Sequence, residues 1–140
     1  MQYTPIRQIA LGTSRYHASE LIVASGLLPV RITAGAPRGR LGYALAGCLP
    51  ALYPERRWLS LDPEEFARTY LAHLDAVGVE QIAADLAVIS RAHGGRGIVM
   101  LCFEDVAALG EHSCHRRAFA RWWKQQTTQV VPELEVPSRG

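Results

Sequence analysis

Six consecutive apolar residues, IVMLCF from Ile98 to Phe103, constrain this chain more than any other stretch. A strand with one wet face alternates apolar and polar residues. A continuous apolar run marks a strand covered on both faces, the usual setting of a parallel sheet between layers of helix. The run is preceded by two helical patterns, each with its own punctuation. Asp62, Pro63 and Glu65 are a helix start: a capping acid, proline in the first turn, and a glutamate three residues after the cap. Phe66, Tyr70, Leu74 and Val77 then recur on one face, and Gly78 ends the segment. Val79, Ile82, Leu86 and Ile89 mark the next helix, which Gly94-Gly95 closes.

The rest of the chain fits the same plan. Ile6 to Leu11 reads as a short strand ending in Gly12-Thr13-Ser14. Ala18 to Ala24 reads as a short helix stopped by Gly26. Leu27 to Thr33 reads as a second strand, in which Pro29 implies an edge or an early strand position. A Gly- and Pro-rich segment follows from Thr33 to Trp58, with a helical turn expected near Leu45 to Leu52. Loops of this length in a compact domain usually carry function. A last helix is expected over Ser113 to Gln126, with Phe119, Trp122 and Trp123 inward, and a last strand over Thr128 to Val131. The expected fold is α/β: a single three-layer domain over residues 1–132, with a small, mostly parallel sheet flanked by helices. Residues 133–140 are expected to form a flexible tail.

In such sheets ligands bind beyond the carboxyl ends of the strands. That rule gathers Ser14 and Arg15, then Arg31, Arg38 and Arg40 in and beside the long loop, and the segment after Cys102. Cys102 and Glu104 share a face by alternation. Cys114, His115 and Arg116 stand where the last helix begins, and unpaired backbone N–H groups there favour thiolates and anions. One reading makes Cys102 or Cys114 a thiolate, His115 its base and Glu104 an acid/base partner, with Arg116 and the other arginines on an anionic ligand. A second makes the same cleft a binding module without turnover. A third makes it structural or regulatory, with Cys-His-Arg locking the last helix. A fourth takes Cys102, His112, Cys114 and His115 as zinc ligands, although adjacent Cys114 and His115 suit one ion poorly and no CxxC anchors the set. No cofactor fingerprint is present, and neither cofactor nor metal is expected.

Charge and composition limit the partners. A net charge of +2 does not by itself point to nucleic acid. Trp122 and Trp123 beside Arg117, Arg121 and Lys124 can stack bases, but they suit a core equally well. Lys124 is the only lysine. GC-rich coding produces that bias, and arginine also suits a bidentate grip on phosphate. The expected partner is therefore an anionic small molecule or nucleotide, with no membrane. The irregularly spaced Cys48, Cys102 and Cys114 suggest reduced thiols and a cytoplasmic location.

The order of an apolar strand, LCFE, a gap, CHR and a closing helix resembles the family called domain of unknown function 488. Its members carry Cys and Glu at the end of a strand and Cys-His-Arg at a helix start. The matching positions here are Cys102, Glu104, Cys114, His115 and Arg116. Thr13 to His17 (TSRYH) and Val30 to Leu41 (VRITAGAPRGRL) are similar to its early segments. Many members place an acid before Val-Arg, where this chain has Pro29. The resemblance implies the fold and the site positions and supplies no reaction.

Overall fold

The computed structural model describes residues 9–103 and 115–135. The elements in order are β1 (Leu11–Arg15), α1 (Ser19–Ser25), β2 (Leu28–Arg31), β3 (Gly47–Cys48), α2 (Pro63–Val77), α3 (Val79–Ala92), β4 (Ile98–Cys102) and α4 (His115–Thr127). Two 3-10 turns, Pro50–Leu52 and Arg56–Ser60, lie between β3 and α2. The sheet order is β1-β4-β2-β3, with every pairing parallel.

β4 is central, and all five of its residues are buried. Ile98, Met100 and Cys102 pack into the larger core with α2, α3 and α4, while Val99 and Leu101 pack with Ile22 of α1 and with Tyr16, Leu41 and Tyr43. The continuous apolar run is explained by this double cover, and the molecule is a three-layer α/β domain. α2 begins as its residues dictate, with Asp62 accepting from the Glu65 N–H at 2.9 Å. Its Phe66, Tyr70 and Leu74 face inward. The Tyr70 hydroxyl donates to the Leu52 carbonyl at 2.7 Å, and His73 Nε2 lies 2.7 Å from the Ala51 carbonyl. These bonds hold the first 3-10 turn against the helix. None of the helices among the described residues is long and apolar enough to cross a membrane.

Three segments differ from the sequence reading. The first strand is Leu11–Arg15, later than expected, because its buried polar residues Thr13 and Ser14 face packed neighbours instead of ending the strand. The segment from Thr33 to Trp58 is divided by β3 and the 3-10 turns. Thr128 to Val131 form no strand. Thr128 adopts a left-handed φ of 66° just beyond α4, and among the described residues after α4 only Glu133 pairs, bridging Thr13 in parallel. Thr13 N–H donates to Pro132 O at 2.9 Å, and Leu134 N–H donates to Thr13 O at 2.8 Å. Residues 132–134 sit at the expected boundary between domain and tail. They cover the outer side of β1, whose backbone groups would otherwise be an exposed edge.

Candidate functional site

The carboxyl end of β4 is where the chain changes sides. The connection after β1 enters α1, and the segment after β2 lays Leu41 and Tyr43 on that same face. β4 leads instead to α4 on the opposite face. Its end is therefore flanked on both sides by connections that diverge from its own, the arrangement that opens a crevice in parallel sheets. Arg15 is the register partner of Cys102, and Arg31 that of Leu101. The two arginines thus stand on either side of β4, about 10 Å apart at two strand spacings. By alternation Arg15 lies on the α4 side and Arg31 on the α1 side. Arg15, Arg38 and Arg40 are exposed and Arg31 is half-buried. Among the described residues no carboxylate lies within 4.0 Å of any of the four.

His115 and Arg116 lie deeper. Arg116 is fully buried. Its Nε and Nη2 donate to the two oxygens of Glu133, each at 2.9 Å, and its Nη1 donates to Cys102 Sγ at 2.7 Å. Glu133 Oε1 also accepts from the Thr13 hydroxyl at 2.8 Å. Arg117 Nη1 donates to Thr13 Oγ1 and to the Val131 carbonyl, both at 2.9 Å. This network joins α4, β4, β1 and the segment after α4. His115 Nε2 lies 3.0 Å from the Ile32 carbonyl, and its ring stands edge-on to Tyr70. A carbonyl only accepts, so Nε2 carries the proton.

Cys102 is fully buried, which closes its sulfur to bulk solutes, while the adjacent guanidinium is the kind of neighbour that activates thiols. Ser14 is buried within β1. Glu104 and Cys114 lie outside the described residues, as does His112 of the zinc set. Of that set, Cys102 takes a bond from Arg116 and His115 bonds the Ile32 carbonyl. Among the described residues no group of three or more His, Cys, Asp or Glu is placed to hold a metal. Trp122 and Trp123 are buried in the larger core, with Trp122 Nε1 donating to Asp75 at 2.8 Å. A recess of about 340 Å³ lies elsewhere, between α1, the start of β2 and residues 43–46, and contains none of the strand-end arginines.

Sequence reasoning missed Glu133, Tyr16 and Tyr53. Tyr16 is fully buried at the end of β1, with Phe103 against its ring. Thr33 donates to the Gly35 carbonyl at 2.7 Å, so Tyr16 donates in the 2.6 Å bond between the two hydroxyls. The Tyr43 hydroxyl donates to the Tyr16 carbonyl at 2.6 Å and ties the long loop down. Tyr53 accepts from Arg31 Nε at 3.1 Å. The only hint in the sequence is that these aromatics interrupt Arg- and Gly-rich segments.

Burial pushes the Tyr16 hydroxyl up to about 12, against the downward pull of the Thr33 hydrogen bond and Arg31. Burial also pushes Tyr43 up to about 12. An unfolded tyrosine ionises near pH 10. The fold holds the neutral phenols more tightly, so this contribution is complete below pH 10 and is lost as pH rises from about 10 to 12. Denaturant midpoints measured against pH should fall across that window, and the fall should be smaller in Tyr16→Phe. An equally steep fall in Tyr16→Phe would remove Tyr16 from this account.

Comparison with family models, curated proteins and solved structures finds no match to the chain.

Proposed function

We propose that this is an anion-binding α/β domain whose ligand, a nucleotide or another small phosphate-bearing molecule, lies across the carboxyl end of β4. The observation that carries the reading is a set of arginines around that end, Arg15 and Arg31 on either side and Arg38 and Arg40 in the loop after β2, with no carboxylate within 4.0 Å among the described residues. Guanidinium groups suit phosphate oxygens, which they bind bidentately. The spacing of Arg15 and Arg31 favours a ligand with more than one anionic group. Glu104 and Cys114 fall between β4 and α4 in the sequence, and their part in this reading comes from the sequence alone.

A second reading concerns Cys102, His115 and Arg116. The bidentate Arg116–Glu133 pair favours a framework role, in which these side chains hold α4 against the sheet beneath the ligand. The two readings are compatible: exposed arginines recognise, and buried groups support.

Calorimetric titration with inorganic triphosphate tests the recognition. The folded Arg31→Ala variant should bind about tenfold more weakly, as expected for losing one charge-assisted hydrogen-bond donor set. Arg15→Ala should weaken binding in the same direction, and added salt should weaken binding by the parent. Parent-like binding by the double variant would remove the site.

A further inference from the structure

We infer that Cys48, with Arg31 and Tyr53, forms a thiol-exchange site that accepts small anionic disulfides. The inference rests on the reading that Arg31 binds anions and adds a covalent partner at the same sheet end. Three different functional groups converge there. Arg31 and Cys48 are register partners at the carboxyl ends of β2 and β3. Tyr53 returns over them from the first 3-10 turn: its hydroxyl accepts from Arg31 Nε at 3.1 Å, and the guanidinium carbon lies 5.5 Å from its ring centroid. Burial raises the Tyr53 hydroxyl, contact with the Cys48 thiol raises it further, and Arg31 lowers it. The phenol is therefore held in its protonated form beside the sulfur.

Access separates this thiol from Cys102. Cys48 is exposed, whereas Cys102 is buried. Among the described residues β3 is the last strand of the sheet, and no further strand of theirs covers Cys48 from that side. Arg31 supplies positive charge for an incoming carboxylate. Tyr53 supplies a hydroxyl to a departing sulfur. Neither a lone surface cysteine nor a lone arginine provides this combination.

The step is thiol–disulfide exchange. The Cys48 thiol gives its proton to solvent, and its sulfur attacks one sulfur of the incoming disulfide. A new S–S bond forms at Cys48 as the original S–S bond breaks. The electron pair of that bond leaves on the second sulfur, which is released as a thiolate and takes a proton. Cys48 is oxidised to the mixed disulfide, and half of the reagent is reduced to thiol.

The test uses the full chain and two reagents, oxidised glutathione as an anionic disulfide and cystamine as a cationic one. Rates are read as adduct mass on the tryptic peptide from Leu41 to Arg56, which contains Cys48 and no other cysteine. Each is divided by the rate on the same peptide free in solution. The expected result is a corrected preference for glutathione of about threefold or more, the size of one exposed charge pair. Arg31→Gln should abolish the preference, and Tyr53→Phe should slow both reagents. An inert Cys48, or a corrected ratio of one that Arg31→Gln leaves unchanged, overturns the inference. Triphosphate binding by Cys48→Ser separates this failure from failure of the anion site. Retained binding with an inert Cys48 discards only the exchange chemistry, and lost parent binding discards the anion site too.

Discussion

Glu133→Ala should lower the melting temperature by about 10 °C. The substitution removes the Glu133 carboxylate from Arg116, whose side chain is 0% exposed. Removing one partner of a buried pair typically costs about 3–5 kcal/mol, because the remaining charge keeps its desolvation penalty and loses its compensation. Glu133 retains 23% of its side-chain exposure, so the lower end of that range applies. For a domain of this size about 3 kcal/mol corresponds to roughly 10 °C. Thr13 loses its acceptor as well. Arg116→Lys should also destabilise, since an ammonium cannot reproduce the fork that meets both Glu133 oxygens. The double variant Arg116→Met with Glu133→Leu should recover much of the loss, because it removes both members of the pair. A Glu133→Ala protein that melts with the parent would show that this network contributes nothing to the fold.

Gly97→Ala should be nearly as damaging, for a different reason. A Cβ at Gly97 would stand 2.6 Å from the Ala10 carbonyl oxygen, 2.7 Å from Leu27 Cδ2 and 2.9 Å from Ala10 Cβ. The nearest obstacle is backbone, and that backbone is pinned. Ala10 O accepts from Ile98 N–H at 2.8 Å, and Gly97 O accepts from Leu28 N–H at 2.8 Å. Relief would pull β4 away from β1 or β2 at the point where both pairings begin. Overpacking of a core typically costs about 1–3 kcal/mol, and a clash with fixed backbone belongs at the upper end. The denaturant midpoint should fall with little change in slope. Gly12→Ala is the comparison: its Cβ would meet the Leu134 and Leu27 side-chain ends at 3.3 Å, and such ends can shift. If the two variants were equally stable, the clash argument would fail.

Neither Gly97 nor Glu133 could have been singled out from the sequence. Gly97 reads as one more glycine after Gly94-Gly95, and its role comes from a neighbour 87 positions earlier. Glu133 reads as one charge in a polar tail, and its partners lie at positions 13 and 116. β3 is only two residues long, below the length at which alternation carries a signal. Local rules did better where the cause was local. The Asp62 cap, the inward Phe66–Tyr70–Leu74 face and the doubly covered β4 follow from residues within a few positions of one another. The strand-end arginines were legible as a group, because the parallel-sheet rule needs only the order of the elements. Which arginine is buried against an acid and which are open was not legible, since that division depends on the tail.

The strand order also sets a timetable for synthesis. β1 is made first, yet its sheet partner is β4, with Leu11 paired to Ile98. β2 likewise waits for β4, because β4 lies between it and β1. A nascent chain that has emerged only as far as α3 can form helices and the short β2–β3 pair, but it cannot join its two halves. The centre of the sheet closes only when residues 98–102 emerge, and Glu133 reaches Arg116 later still. Chains stalled or clipped before residue 98 would present β1 unpaired and the β4-facing edge of β2 open, the form of the protein most exposed to chaperones and to aggregation.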